Sequence, residues 1–147
     1  MRLEEEIKQV AFQNEYQKAS INIFYTGNWL QDNQKETFKK YDLTLPQFNI
    51  LRILRGQYPN PVTINLLIER MLDKTSNASR IVDRLEIKGL VTRKQCPNDR
   101  RTVDVIINAI GLALLSQIDK EDIHGPIRNL TDQEARQLNT LLDKIRQ

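Results

Sequence analysis

The stretch TINLLIERMLDKTSNASRIVDRLEIKGLVTRKQCPNDRRTVDVIIN, residues 63–108, decides the fold. Its apolar residues first recur at helical spacing, from Thr63 to about Leu72 and again from about Lys74 to Lys88, where Gly89 stops the pattern. A β-like run follows (Leu90 to Gln95), then turn chemistry at Pro97, Asn98 and Asp99, then a second β-like run from Thr102 to Ile107. Helix, turn, helix and hairpin in that order describe a winged helix-turn-helix, an architecture that reads double-stranded DNA.

Within the second helix, Ala78, Ile81, Val82 and Leu85 fall on one face and are expected in the core. Asp73 is the expected N-cap. The other face carries Thr75, Ser76, Asn77, Ser79, Arg80 and Arg84. Short hydrogen-bonding groups near a helix start, with cations further along, suit base readout in the major groove combined with phosphate contact. Ser76, Asn77, Ser79 and Arg80 are the candidate base readers, and Lys74, Thr75 and Arg84 the candidate phosphate contacts. A merely solvated helix face fits the same pattern when the helix is taken alone. Arg100 and Arg101 follow the hairpin turn directly. One suits insertion into a narrow minor groove, and the other pairing with Asp99 to stiffen the wing. An incidental ion pair on an exposed turn is the plainer alternative.

Charge supports the same unit. The 147 residues carry +3 overall, but residues 74–101 hold eight basic side chains against three acidic ones, so this segment is +5 and the remainder −2. Clustered positive charge is the footprint of a nucleic-acid binder; on charge alone, a solvated face fits as well.

Outward from the centre, Leu3 to about Leu30 reads as one long helix with two apolar rows, bent near Gly27. It packs either on its own domain or on a second subunit. Residues 31–41 are polar and read as a short helix at most. Thr44-Leu45-Pro46-Gln47 opens a helix through a capping box. Phe48, Ile50, Leu51, Ile53 and Leu54 make that helix apolar on most sides, hence central. Asn108 caps a helix expected to end near His124, and Thr131 to Glu134 is a capping box for the last one.

Composition fits one soluble globular domain: 39% hydrophobic, 28% charged, with five glycines and five prolines. No apolar run is long enough to cross a membrane. The acidic start is unlike a signal peptide, and a lone cysteine fits a reducing, cytoplasmic compartment. No zinc spacing, phosphate-binding glycine loop or nucleophile motif appears, so neither metal, cofactor nor enzymatic activity is expected. His124 has no evident partner and reads as structural.

The run Ile81-Val82-Asp83-Arg84-Leu85-Glu86-Ile87-Lys88-Gly89-Leu90-Val91-Thr92-Arg93, with Asn98-Asp99-Arg100-Arg101 after it, resembles the MarR family of bacterial transcription regulators. Such regulators carry a DRLExKGLVxR run leading to a DRR wing. The resemblance spans essentially the whole chain and departs from the family after the wing, where Ile107-Asn108 replaces the usual Leu-Thr. It implies a mainly α fold with a small β-hairpin wing, in a single domain over residues 1–147. Residues 42–108 would form the DNA-binding region, and residues 1–41 and 109–147 the helices of a homodimer. It implies a recognition helix in each major groove of a pseudo-palindromic operator, Arg100 or Arg101 in the minor groove, and a repressor in preference to an activator. Release by a small aromatic or amphipathic effector is common in the family. Phe12, Tyr16, Phe24, Tyr25 and Trp29 are candidates for lining the effector pocket, with a place in the core as the alternative. The oxidant-sensing branch keeps its cysteine in the N-terminal helix, whereas Cys96 lies at the foot of the wing. The rival reading is a winged helix that binds protein and has no specific DNA partner.

Overall fold

The computed structural model describes residues 1–96 and 99–147, without the side chains of residues 96 and 99–101. Seven α-helices and three strands follow in the order α1 (Leu3–Glu6), α2 (Glu15–Lys39), α3 (Leu45–Gln57), β1 (Val62–Thr63), α4 (Ile64–Arg70), α5 (Ala78–Ile87), β2 (Val91–Cys96), β3 (Asp99–Ile107), α6 (Ala109–Ile118) and α7 (Asp132–Ile145). A 3-10 turn, Gly125–Asn129, precedes α7.

Helix α3 is the hub. Thr44 Oγ1 accepts the Gln47 N–H and Gln47 Oε1 accepts the Thr44 N–H, which closes the expected capping box. Phe48, Ile50, Leu51, Ile53 and Leu54 are all buried, and α2, α4, α5, α6 and β3 pack around the helix. Its Phe48 ring stacks on Phe38 of α2 with centroids 4.2 Å apart.

The strands form one antiparallel sheet in the order β1-β3-β2. Val62 pairs with Val105, and Arg93 pairs with Val105 from the other side. Val62, Val91, Val105 and Ile107 give the sheet a buried apolar face. The two-residue β1 carries no alternation of its own, so the sequence pattern does not announce it.

Boundaries differ from the sequence reading at several points, among them the start of β3, which is Asp99 and not Thr102. The N-terminal helix breaks after Glu6 and restarts at Glu15, where Asn14 Oδ1 accepts the Gln17 N–H. Lys8 has φ 54°, incompatible with a continuing helix. The new helix then runs without interruption past Gly27 and through the polar segment to Lys39. Short α1 folds back on it through Glu4–Lys18 (2.5 Å) and the Tyr25 hydroxyl, which donates to Glu6 at 2.8 Å. Helix α5 starts at Ala78 under an Asn77 cap, not under Asp73. Helix α6 stops at Ile118, well short of His124.

Gly89 ends α5 at φ 71°, a conformation that favours glycine. Asn108 caps α6 by accepting the Gly111 N–H at 2.9 Å, and its amide donates to the Gly89 carbonyl at 2.7 Å. The departure from the family pattern at this position therefore stitches α6 to the end of α5. Gly111 lies against the same corner: a Cβ there would stand 2.4 Å from the Leu90 carbonyl oxygen and 2.7 Å from Ile107 Cγ1. Among the described residues, no helix is long and apolar enough to cross a membrane.

Gly111→Ala should therefore destabilise the fold by about 1–3 kcal/mol, the usual cost of overpacking a close contact. A urea titration reads this as a lower midpoint at unchanged slope; an unchanged midpoint would contradict the close approach of α6 to Leu90.

Candidate nucleic-acid interface

Asn77 fixes where α5 begins, because its side-chain oxygen accepts the Arg80 N–H at 3.0 Å. Ahead of it, Asp73 draws the connecting turn together. Its carboxylate accepts the Thr75 hydroxyl (2.7 Å), the Ser76 hydroxyl (2.7 Å) and the Thr75 N–H (2.9 Å). These donors hold the Asp73 carboxyl below its ordinary range, the Thr75 hydroxyl contributing most and the Ser76 hydroxyl next, since each favours the charged form. This local bonding competes with the helix and explains why α5 starts four residues later than an Asp73 cap requires. It also commits the hydroxyl protons of Thr75 and Ser76, leaving their lone pairs as acceptors.

The faces of α5 divide as its sequence suggests. Ala78, Val82 and Leu85 are buried, Ile81 is half-buried, and Ser79, Arg80 and Arg84 are exposed. Arg80 and Arg84 wall an open cleft of about 260 Å³ together with Ser76, Asn77, Thr44 and Pro46. The N-terminal end of α3, which carries partial positive charge, thus lies beside the two arginines. Sequence reasoning did not place α3 there, because the neighbourhood arises only on folding.

The remaining described cations divide by engagement. The Lys74 ammonium donates to the carbonyls of Ile68 (3.1 Å) and Glu69 at the end of α4. Lys88 bonds the Asp42 carboxylate (2.8 Å) and the Asp42 carbonyl. Arg93, at the root of the hairpin, takes two acids of α5 at once. Its Nε donates to Glu86 at 2.8 Å, its Nη2 lies 2.7 Å from Glu86, and its Nη1 meets Asp83. Its own backbone N–H also donates to Glu86, at 3.3 Å. Glu86, with Asp83 adding to it, raises the Arg93 pKa further. By contrast, Arg80 and Arg84 have no carboxylate within ion-pair distance among the described residues. Asp99, Arg100 and Arg101 belong to β3, but their side chains lie outside the described residues, as do Pro97, Asn98 and the Cys96 side chain.

A larger cleft, about 650 Å³, opens between α2, the start of α3 and the segment after α4. Lys35, Phe48, Arg52, Leu72, Asp73 and His124 are among its walls. His124, read from the sequence as structural, is exposed there. None of the five aromatic candidates lines this cleft. Tyr16 and Phe24 are 86% and 74% exposed on α2, which leaves them without a pocket of their own chain around them. Trp29 is exposed beside them, Phe12 receives the Lys18 ammonium 5.7 Å from its ring centroid, and Tyr25 bonds Glu6. Among the described residues, no cluster of His, Cys, Asp and Glu could hold a metal ion.

Comparison with known proteins adds an independent view. Residues 43–103 match the model of the MarR family. The chain is similar to the HTH-type transcriptional regulator MgrA of Staphylococcus aureus, with 25% identity covering 94% of this chain and 88% of that protein. It is also similar to the HTH-type transcriptional repressor IacR of Pseudomonas putida, with 25% identity covering 90% and 81%. Among solved structures, a MarR-like transcription regulator from Bacillus cereus superposes with a TM-score of 0.77 at 26% identity, covering 90% of this chain and 96% of that one. A mutant MarR from E. coli complexed with operator DNA gives 0.76 at 27% identity, covering 92% and 99%.

The Asp73 turn makes a pH-dependent contribution that can be measured. Its carboxyl pKa is lowered on folding, so the contribution is complete above the ordinary carboxylate range and disappears as pH falls through the lowered value. The stability gap between wild type and Asp73→Ala should be constant near neutrality and close in acid. A gap as wide in acid as at neutral pH would refute the assignment.

Proposed function

We propose that this chain is a member of the MarR family and a homodimeric transcription regulator that binds a pseudo-palindromic DNA operator and responds to a small ligand, most readily as a repressor. The observation that carries the reading is the outward face of α5. Ser79, Arg80 and Arg84 stand exposed, and the two arginines lack carboxylate partners among the described residues. A solvated structural helix gains nothing from leaving such cations unneutralised, whereas phosphate and base recognition requires it. Asn77, although engaged as the cap, retains an amide to donate. We assign Ser76, Asn77, Ser79 and Arg80 to readout and Lys74, Thr75 and Arg84 to the backbone, Thr75 by turning its hydroxyl from Asp73 to a phosphate, with Arg100 or Arg101 in the minor groove.

The homodimer reading rests on uncovered apolar surface. No residue of α7 is buried, and its Leu138, Leu141 and Ile145 stripe is exposed together with Tyr16, Phe24 and Trp29 of α2. The chain exposes 10914 Å², whereas a compact monomer of 17.2 kDa would expose roughly 7,800 Å². An excess near 3,000 Å² per chain, roughly 6,000 Å² for a pair, is ample for an obligate interface, which buries about 2,000–5,000 Å² or more over both chains. Residues 1–41 and 109–147 are thus the proposed dimerisation region, and 42–108 the DNA-binding one. The repressor reading is supported by likeness to IacR, which is named a repressor.

The ligand reading rests on the larger cleft. Its apolar floor and the Arg52 and Lys35 cations suit an amphipathic or aromatic anion. Asp73 lines that cleft and also holds the Thr75–Ser76 turn, so an occupant there reaches the DNA-facing segment directly. A transcription regulator of this kind has no catalytic step, and the reading places it in the cytoplasm.

The test is a titration of purified protein against the DNA immediately upstream of its own gene, with a scrambled duplex of equal length alongside. Selective binding that weakens steeply with salt is expected. Arg80→Ala should cost about 1–3 kcal/mol and relax selectivity, and Arg84→Ala should weaken both duplexes alike. Equal, salt-insensitive binding to both duplexes would favour a protein-binding winged helix instead. For the dimer, Leu141→Glu should shift sedimentation from two chains to one; a wild-type protein that sediments as a monomer would end that reading.

A further inference from the structure

Arg93 lies within the positive segment and on the hairpin, yet its guanidinium is turned inward. It spans Glu86 and Asp83, one turn apart on α5, and its backbone N–H closes a further bond to Glu86. Arg93 also sits on a particular rung of the sheet. It pairs with Val105, and Val105 pairs with Val62 of β1. That rung is the last but one before the hairpin leaves the body of the domain, since β1 ends at Thr63, which pairs with Asp104 opposite Lys94, while β2 and β3 continue. Beyond it, β2 runs on to Cys96, about 10 Å at ~3.4 Å per residue. A tilt of ~10° at the rung would displace that end of the strand by about 2 Å, given the same rise. Such a displacement is enough to lose hydrogen bonds set by the hairpin's position.

We propose that Asp83, Glu86 and Arg93 form a clamp that fixes the angle between the recognition helix and the wing, making Arg93 a positioning residue and not a phosphate contact. The inference rests on the DNA-binding reading and adds a role for two acids that otherwise oppose it. Asp83 and Glu86 place negative charge on the helix that is to face a polyanion. Electrostatics alone disfavours them there. Their value lies in the bidentate, charge-assisted bonding of one guanidinium whose planar fork admits little angular freedom. Lysine at this position would keep the charge and lose the fork.

The two roles predict opposite signs for one substitution. Neutralising Glu86 (Glu86→Gln) makes the protein more positive. If Glu86 were only an exposed acid near DNA, both upstream and scrambled duplexes would bind more tightly. The clamp instead predicts about tenfold weaker binding to the upstream duplex, little change on the scrambled one, and so a collapse of selectivity. Arg93→Lys should reproduce that loss with its charge retained. The double variant Glu86→Gln, Arg93→Gln should lose far less than the sum of the single losses, because each removes the same interaction. Circular dichroism and sedimentation on every variant separate misfolding from misalignment. Tighter binding by Glu86→Gln, additive losses, or full selectivity in Arg93→Lys would each overturn the clamp while the wild type still discriminates between duplexes. A wild type without selectivity would overturn the regulator reading, and the clamp with it.

Discussion

The core of this structure is arranged around α3. Phe48, Ile50, Leu51, Ile53 and Leu54 leave that helix almost no side that can face water, so other elements must approach it from several directions. Helix α2 supplies Phe38, which stacks on Phe48; α5 supplies Val82 and Leu85, α6 Leu115 and Ile118, and β3 Val105. Burial of each large side chain is worth roughly 1.5–3 kcal/mol. The position of α5 is thus a consequence of core packing. Its outward residues are whatever remains when Ala78, Val82 and Leu85 point inward.

Charge on this unit is sorted by what it touches. Lys74 closes the end of α4, Lys88 ties α5 to Asp42, and Arg93 ties α5 to the hairpin. Lys88 and Arg93 hold the surface in shape, whereas Arg80 and Arg84 have no carboxylate partner among the described residues and, with Lys74, are the cations proposed to meet DNA. A count of basic residues cannot make that division, because Lys88–Asp42 joins residues 46 apart, and only the fold sets their distance. Within the clamp the signal was closer to the surface of the sequence. Asp83 and Glu86 are one helical turn apart, and Arg93 is seven residues beyond Glu86, after a glycine that reverses the chain.

Local chemistry was the legible part of the fold. The boxes at Thr44 and Thr131, the cap at Asn108 and the stop at Gly89 all stand where the residues imply. Errors arose where two short-range solutions competed. Asp73 is a good cap, but Thr75 and Ser76 offer it three bonds without a helix, and Asn77 then takes the cap. Asn14 similarly restarts a helix that apolar periodicity carried straight through. The aromatic residues of α2 show a different limit. Tyr16 belongs to one of two apolar rows, but the pattern does not show whether a pocket, a core or a second chain covers that face or the Phe24 and Trp29 rings further along. In the folded chain that face is open.

That open face bears on how the protein would read DNA. In a dimer built from α2 and α7, spacing between the two α5 helices depends on the posture of α2 relative to α3. The Phe38–Phe48 stack joins those two helices directly, and the bidentate Arg55–Asp119 pair, at 2.6 and 3.2 Å, ties α3 to the end of α6 beside them. Tyr41 adds a bond to Glu121, which raises the phenol pKa and keeps the proton on the donor. The larger cleft sits beside this junction, with Lys35 on α2 and Arg52 on α3 among its walls. A molecule wedged between those helices need not touch DNA to change its binding. It need only favour a posture in which the two recognition helices no longer match successive major grooves, about 34 Å apart. Its effect on affinity can be no larger than its preference for that posture.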